Sequence, residues 1–476
     1  PGSHFILGHM GTRRFGANFR DSLKGMFVDY ADKYGVCSFW MASMRGVSVN
    51  SWEDARAVLQ ASTERKRLKL LAKHMNNFLG PRNIGVLRGK EWKYHRAAIL
   101  RVFHSQATLV NSRSAMVNVT QTLVDSLKNQ PQPLEIDIEP VMKMITMDVF
   151  GRTALSYDFG CCKNLEPSPF SVAFDFLGQD FLRRLRSPFI PTNAFYSIPT
   201  ATNQRNAQEN ALIRDFLLAL IETRRQEKLQ NRSPNLLTSL LKAHDDLKEQ
   251  AVEEMTDQIM VDNMMALLFA GFDTTSITLM YALYLVATNP EVEQQCLREI
   301  DGIWKQDGNL TDPDRLVYCG GVISETLRMY PPAFVVNRKV TKAIELSNGF
   351  VLPEGTMVLI PIFMIQRDPK HFERPEECLV ERWIKRDGAG SAWVVRDAND
   401  TSCSDVPPGN RNAIFAFSGG ARSCAAQKFA IQEATLVLAN LLKDLKFTVK
   451  PGYVPYPQRN GIVQSPGGMP MTITVR

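Results

Sequence analysis

The feature that most constrains the fold of this chain is a single cysteine, Cys424, on a glycine-rich loop directly before a long apolar stretch. The loop is Phe417-Ser418-Gly419-Gly420-Ala421-Arg422-Ser423-Cys424-Ala425-Ala426. A thiol at a helix N-terminus meets oriented backbone N–H groups and the positive end of the helix dipole, and both favour the thiolate. A thiolate can ligate haem iron, and Arg422 can pair with a carboxylate such as a haem propionate. Because a lone cysteine is more often an inert buried residue, the flanking residues decide between these interpretations.

A second unusual segment lies inside an apolar helix predicted for about 252–286. It is Ala270-Gly271-Phe272-Asp273-Thr274-Thr275. Glycine costs roughly 1 kcal/mol relative to alanine in a helix interior, so Gly271 beside Ala270 indicates room for a flat cofactor. A threonine hydroxyl can bond to a helix carbonyl or hold a water, and an aspartate can relay protons. The segment predicts Thr274 and Asp273 as catalytic residues, and the alternative is an ordinary kinked, buried helix.

An acid and a base lie three residues apart, at Glu325 and Arg328, in a helix predicted for about 316–329. Their spacing puts both side chains on one helical face. As an exposed pair they would contribute only a few tenths of a kcal/mol. Met329-Tyr330-Pro331-Pro332 follows directly after the pair, and the alternatives are a buried pair and a solvated one. A third charged residue, Arg382, follows further along the chain.

Other cations predict contacts with an anionic ligand. Trp92 and Arg96 lie one helical turn apart, so both can meet one carboxylate. Together with Arg338 and Arg422, this arrangement offers three cations to two carboxylates, which balances the charge of a buried ligand. His95 is predicted to lie at the surface or beside that ligand, and not to bind iron.

Composition excludes several classes of function. The chain has 476 residues, a net charge of +7 and 44% hydrophobic residues, which predicts a globular protein with a large core. We expect no nucleic-acid partner, because no Lys/Arg run is long enough to be a nucleic-acid arm. Zinc-spaced cysteines and the motifs of serine hydrolases, P-loop proteins and zinc proteases are absent. A dinucleotide fingerprint is also missing, so electrons for a redox reaction would come from another protein.

Hydrophobic periodicity predicts a single domain over 1–476 that is mainly α with small β-sheets. The predicted ranges are about 1–50 and 335–380 for the β-rich parts and about 52–330 and 425–445 for the helical body. Individual helices are expected at Phe19–Tyr34, at Trp92–Phe103 and at about 140–154. The polar stretch at about 384–412 lacks periodicity and is longer than most loops of compact domains, so we interpret it as a surface insertion.

These segments together resemble the cytochrome P450 family, in its eukaryotic microsomal type. The Cys424 loop, the Ala270–Thr275 segment and the Glu325 helix occur in the family's order, and the resemblance covers nearly the whole chain. One departure is Ala426, where the family usually has glycine. The resemblance implies the cytochrome P450 fold, with haem between the long central helix and the Cys424 loop.

The resemblance also implies roles for individual residues. Cys424 would ligate the iron of haem b (iron-protoporphyrin IX), which would otherwise be held non-covalently. Thr274 would hold the dioxygen network, and Asp273 would feed it protons. Glu325 and Arg328 would lock to Arg382 as a buried structural triad. The remaining residues implied to bind the cofactor are Arg422, Phe417, Gly420, Trp92, Arg96, Arg338, Ala270 and Gly271.

The implied reaction inserts one oxygen atom from O₂ into a lipophilic substrate, for which the resemblance favours a sterol or another lipid. The implied electron donor is NADPH–cytochrome P450 reductase, with cytochrome b5 as a second partner. It would dock where Lys93, Arg96 and Lys428 supply positive charge. Two alternatives remain open: a haem-thiolate isomerase or dehydratase of the same fold, and a haem-based sensor or carrier. Asp273 and Ala270 differ from the residues of sterol 14-demethylases and of ω-hydroxylases that esterify their haem, which argues against those two groups.

Membrane association is expected at the cytosolic face of the endoplasmic reticulum. No window of 18 uninterrupted apolar residues occurs in the printed chain. Its opening, Pro1 to His9, resembles the stretch after the membrane anchor of microsomal members, which implies that an anchor was removed. The segment 188–199 is apolar and follows the basic run Arg183–Arg186, so it is predicted to touch lipid near a substrate entrance. The alternative is a loop that covers the core.

Overall fold

The computed structural model describes most of the chain. The described residues are 35–41, 44–64, 69–186, 198–227, 235–249, 256–389, 392–397, 409–455, 458–460, 463–465 and 467–476. The predicted helix Phe19–Tyr34 and most of the predicted membrane segment 188–199 lie outside these residues.

Fourteen α-helices are present in the described part of the chain. The first seven are α1 (Trp52–Ala61), α2 (Lys69–Leu79), α3 (Gly89–Phe103), α4 (Gln106–Lys128), α5 (Ile138–Phe150), α6 (Cys161–Asn164) and α7 (Pro169–Arg186). The others are α8 (Ala201–Gln226), α9 (Leu236–Glu249), α10 (Asp257–Thr288), α11 (Pro290–Asp307), α12 (Val317–Met329), α13 (Ile362–Ile365) and α14 (Gln427–Asp444).

The strands form small sheets at the periphery. They are β1 (Val36–Met41), β2 (Met44–Val49), β3 (Leu134–Asp137), β4 (Val336–Lys339), β5 (Ile344–Glu345), β6 (Val351–Leu352), β7 (Met357–Ile360), β8 (Ile384–Arg386), β9 (Trp393–Val395), β10 (Leu445–Val449), β11 (Gln458–Asn460), β12 (Val463–Ser465) and β13 (Pro470–Val475). One sheet has the order β1-β2-β7-β4, in which β2 and β7 are parallel, and another has the order β10-β13-β3. The mainly α fold with small sheets is therefore confirmed.

Helix α10 is the core of the molecule. It has 32 residues and packs against α5, α12, α14 and α8. The Thr256 hydroxyl caps its N-terminus by accepting from the Ile259 N–H at 3.4 Å. Its length and hydropathy would suit a membrane span, but 67% of its most apolar window is buried inside the protein. Because so much of that window is covered by protein, α10 is a core helix.

Most predicted elements lie where periodicity placed them, with two differences. The helix expected at about 140–154 is α-helical from Ile138 to Phe150 and continues as one π-helical turn, Gly151–Leu155. The polar stretch 384–412 begins with an antiparallel hairpin, in which Arg386 pairs with Trp393. The Arg386 guanidinium stacks 3.9 Å from the Trp393 ring centroid. Strands of three residues are too short to show periodicity, which is why this hairpin was not predicted.

Candidate functional site

The loop before α14 holds Cys424 in a fixed backbone frame. The Cys424 N–H donates to the Phe417 carbonyl at 2.9 Å, and the Ser423 N–H donates to the Gly420 carbonyl at 3.0 Å. Gly420 has φ +66°, and a Cβ there would lie 2.0 Å from the Leu59 carbonyl oxygen of α1. Glycine is therefore required at this position for both conformation and space. The frame leaves the Cys424 side chain exposed.

Ala426 fits this loop without strain. It is the residue before the first turn of α14, with φ −101° and ψ 20°. An L-residue adopts this conformation readily. The departure from the family's usual glycine at this position therefore imposes no backbone cost.

The Ala270–Thr275 segment lies in the middle of α10. Ala270 is exposed although most of α10 is buried, which marks open space beside the helix at this point. The Thr274 hydroxyl donates to the Ala270 carbonyl at 2.6 Å, so it lies at the same opening. A Cβ atom added to Gly271 would lie 3.4 Å from the Phe150 ring. Of the two small residues predicted to leave room for a cofactor, Ala270 lies at open space, whereas Gly271 faces α5.

The carboxyl group of this segment, that of Asp273, has a shifted pKa. Burial raises its pKa from the ordinary value to about 6, and the cation of Lys143 opposes that rise. A group with a pKa near the working pH can both release and regain a proton. Asp273 is therefore chemically suited to proton transfer at neutral pH.

Three arginines and a tryptophan surround the Cys424 loop. Arg338 is fully buried and donates to the Ser418 hydroxyl at 3.0 Å and to the Gly419 carbonyl at 3.3 Å. Arg422 donates to the carbonyls of Thr63, Ile84 and Leu87, at 2.9, 3.3 and 2.7 Å. Its guanidinium lies 3.9 Å from the ring centroid of Trp92, and that of Arg96 lies 5.7 Å from the same ring.

This arrangement fits a haem. Arg96 donates to the Ser423 hydroxyl at 3.4 Å and interacts electrostatically with the Cys424 sulfur, but within the described residues it has no carboxylate partner. A buried cluster of cations that bond to neutral acceptors suits a ligand with two carboxylates. The exposed Cys424 thiol could supply an iron ligand, and the open face at Ala270 could give space for the ring.

The interpretation of His95 as a surface residue is wrong, and its placement beside the ligand stays a prediction. His95 is buried, and its Nδ1 lies 2.7 Å from the Asn263 amide nitrogen of α10. Burial lowers its pKa. Asn263 also accepts from the Ile84 N–H at 2.8 Å, so His95 helps to fix the segment before α3. No local sequence pattern predicts this contact, because it joins two helices far apart in the chain.

Glu325, Arg328 and Arg382 meet in the fully buried interior behind the Cys424 loop. Arg328 donates to the Glu325 carboxylate from Nε and Nη2, at 2.9 and 2.8 Å, and Arg382 donates from Nε at 3.3 Å. Two further donors were not predicted: the Trp383 indole N–H at 2.8 Å and the Leu379 N–H at 3.1 Å. Both belong to the segment that carries Arg382, so this segment wraps around the carboxylate.

Comparison with known proteins agrees with this geometry. The family model described as cytochrome P450 matches residues 1–472. The chain is 27% identical to cytochrome P450 3A2 of Rattus norvegicus, over 76% of this chain and 69% of the relative. It is 22% identical to cytochrome P450 4A2 of the same organism, over 98% and 88%. It is 26% identical to cyclooctat-9-en-7-ol 5-monooxygenase of Streptomyces melanosporofaciens, over 78% and 73%.

Proposed function

The chain belongs to the cytochrome P450 family and is a haem-thiolate monooxygenase, and we propose that it oxidises a lipophilic substrate with electrons from a separate NADPH-dependent flavoprotein reductase. We further propose haem b as the cofactor. The observation that carries the oxygen-insertion role is the Thr274 hydroxyl at the open face of α10, with the titratable carboxyl of Asp273 on the preceding residue. A sensor or an isomerase would have no use for this pair, which disfavours both alternatives.

The haem, when bound, supplies the activation of O₂ and the transfer of one oxygen atom. Cys424 would hold the iron, and Arg96, Arg338 and Arg422 would pair with the propionates. The Thr274 hydroxyl, which donates to the Ala270 carbonyl, would bond to an oxygen molecule in the space beside Ala270. Asp273 would supply the protons, because its pKa of about 6 lets it lose and regain one near neutrality.

Aromatic side chains support a lipophilic substrate. The ring of Phe269, which precedes Ala270, packs against Phe78 at 5.4 Å between centroids. Phe78 also contacts Phe174 at 5.4 Å and Phe181 at 5.8 Å. The cluster meets α10 at the residue before Ala270, and aromatic side chains of this kind favour burial of an apolar molecule. A sterol or another lipid is the class that we propose.

Replacement of Thr274 by alanine tests the proposed reaction. We expect folding and substrate affinity to change little, NADPH consumption to continue, and product per NADPH to fall roughly tenfold or more, with hydrogen peroxide in its place. Thr275 is the matched control, because it is buried on a different face of α10. Thr275→Ala should keep most of the coupling. Wild-type product per NADPH in Thr274→Ala would refute the oxygen-activation role.

Reductase docking is proposed at the face that carries α3 and the Cys424 loop. Lys93 and Lys428 are exposed there, and a surface pocket of about 280 Å³ beside the loop is lined by Arg56 and Arg411. We expect Lys93→Glu and Lys428→Glu to slow reductase-driven turnover severalfold and to spare peroxide-supported turnover. Lys446→Glu, an exposed change on β10, is the control. Equal rates in all three variants, together with insensitivity to salt, would contradict this docking face.

Association with the cytosolic face of the endoplasmic reticulum is also proposed, with the segment 188–199 as the contact. Ile198, in the described part of that segment, is exposed. The preceding basic run cannot act as a whole at lipid headgroups, because Arg184 is buried and bonded to Asp180 at 2.6 Å. Among the residues of that run whose side chains the structure describes, Arg183 is the exposed cation.

A further inference from the structure

One face of α5 lies against the turn of α10 that carries Asp273. Glu139, Lys143 and Thr146 follow each other at spacings of four and three residues, so they form one stripe along α5. The Thr146 hydroxyl donates to the Phe272 carbonyl at 3.2 Å. This contact brings α5 against α10 one residue before Asp273, and the Lys143 cation, one turn earlier on α5, acts electrostatically on the Asp273 carboxyl.

A second helix reaches the same junction. The ring of Phe174 on α7 packs edge-on against Phe272, with 6.1 Å between centroids. The next residue, Asp175, forms an ion pair with Lys143 Nζ at 2.9 Å, and Glu139 forms an ion pair with the same nitrogen at 3.4 Å. The Lys143 side chain is thus held between a carboxylate of α5 and a carboxylate of α7. Both helices contact the turn of α10 that carries Asp273, the proposed proton donor.

The carboxylates that hold Lys143 are themselves anchored. Glu139 accepts from the Gly468 N–H at 2.9 Å, and Asp175 accepts from the Gln179 side chain. The side chains of Lys143, Asp175 and Glu139 are 23%, 34% and 14% exposed. The cluster therefore has a fixed geometry and borders on solvent.

Electrostatics links this cluster to Asp273. Burial, Asp175 and Glu139 all raise the pKa of Asp273, and Lys143 is the group that lowers it, so the pKa settles at about 6. These are the charged groups, among the described residues, that act on the Asp273 carboxyl. Burial disfavours the charged form of Lys143 and so lowers its pKa. Asp175, Asp273 and Glu139 together outweigh this effect and raise the pKa of Lys143 above the usual value. Lys143 is therefore a permanent cation at neutral pH.

We propose that Lys143 is a positioning residue for the reaction: fixed between Glu139 and Asp175, it keeps the Asp273 carboxyl able both to give up and to regain a proton at neutral pH. This inference rests on the proposed function, because it concerns the proton donor of that reaction. Without the cation, the buried carboxyl would face two carboxylates alone. It would stay protonated and become a weaker acid.

Infrared titration of the holoenzyme tests the electrostatic link directly. The protonated carboxyl band of Asp273 is identified as the band that disappears in Asp273→Asn. In Lys143→Met we expect the midpoint of that band to move upward by about two pH units, to the alkaline side of neutrality. In Asp175→Asn it should move downward, because an anion has been removed while Glu139 still holds the lysine. Lys143→Arg keeps the cation and should restore the wild-type midpoint.

Turnover supplies the second measurement. Lys143→Met should lower product per NADPH several-fold at pH 7, and the pH profile of coupling should shift in the same direction as the infrared midpoint. A midpoint that is unchanged in Lys143→Met and in Asp175→Asn would show that Lys143 is only a structural ion pair, whatever the turnover. Normal coupling in Asp273→Asn would instead remove the proposed role of Asp273 and leave the electrostatic link intact, so the two failures are distinguishable.

Discussion

Replacement of Cys424 by histidine will leave a protein that keeps part of its haem but loses both the thiolate-specific ferrous–CO spectrum and monooxygenase activity. Histidine can ligate iron, but it lacks the electron donation with which a thiolate promotes O–O cleavage. The backbone frame does not depend on the sulfur, because the Cys424 N–H bonds to the Phe417 carbonyl and Gly420 packs against Leu59. The fold should therefore survive the substitution.

The measurement is the difference spectrum of the reduced, CO-treated protein, together with product formation. Cys37→Ser is the control, since Cys37 lies half-buried on β1 and has no part in the Cys424 loop. It should keep the wild-type spectrum. A wild-type spectrum in Cys424→His would mean that another residue binds the iron.

Helical spacing in the sequence was sufficient to predict several contacts of the site. The spacing of Glu325 and Arg328 predicts one shared helical face, and in the structure both residues lie on α12 and bond to each other. The pairing of Trp92 with Arg96 follows from the same periodicity. These contacts depend on residues a few positions apart, and helix geometry alone brings such residues together.

Contacts between distant elements could not be predicted in this way. His95 meets Asn263 across 168 residues, and Thr146 meets Phe272 across 126. Which face of one helix meets which face of another is decided by the packing of the whole core. The influence of Lys143 on Asp273 belongs to this class. In the sequence, Lys143 is a lysine within an apolar helix. Its partners are not apparent until the packing of the helices is known.

Truncation of Glu325 to alanine should have the largest effect on folding. The carboxylate accepts bonds from Arg328, Arg382, Trp383 and the Leu379 N–H, and its side chain is fully buried. Removal of one partner of a buried ion pair costs roughly 3–5 kcal/mol, because the other charge is left uncompensated. This is a large part of the stability of a typical protein. We expect Glu325→Ala to accumulate mainly as haem-free or aggregated protein.

Glu377→Ala is the matched control, because Glu377 forms an ion pair of the same i, i+3 spacing with Arg374 at 3.4 Å but is 56% exposed. Exposed pairs contribute roughly 0–1 kcal/mol, so this variant should express with full haem content. Soluble yield, haem per protein and the denaturant midpoint measure the difference. If the midpoint of Glu325→Ala equalled that of Glu377→Ala, burial of the charge would not be what makes Glu325 important. The whole network around Glu325 would then contribute no more to stability than an exposed ion pair.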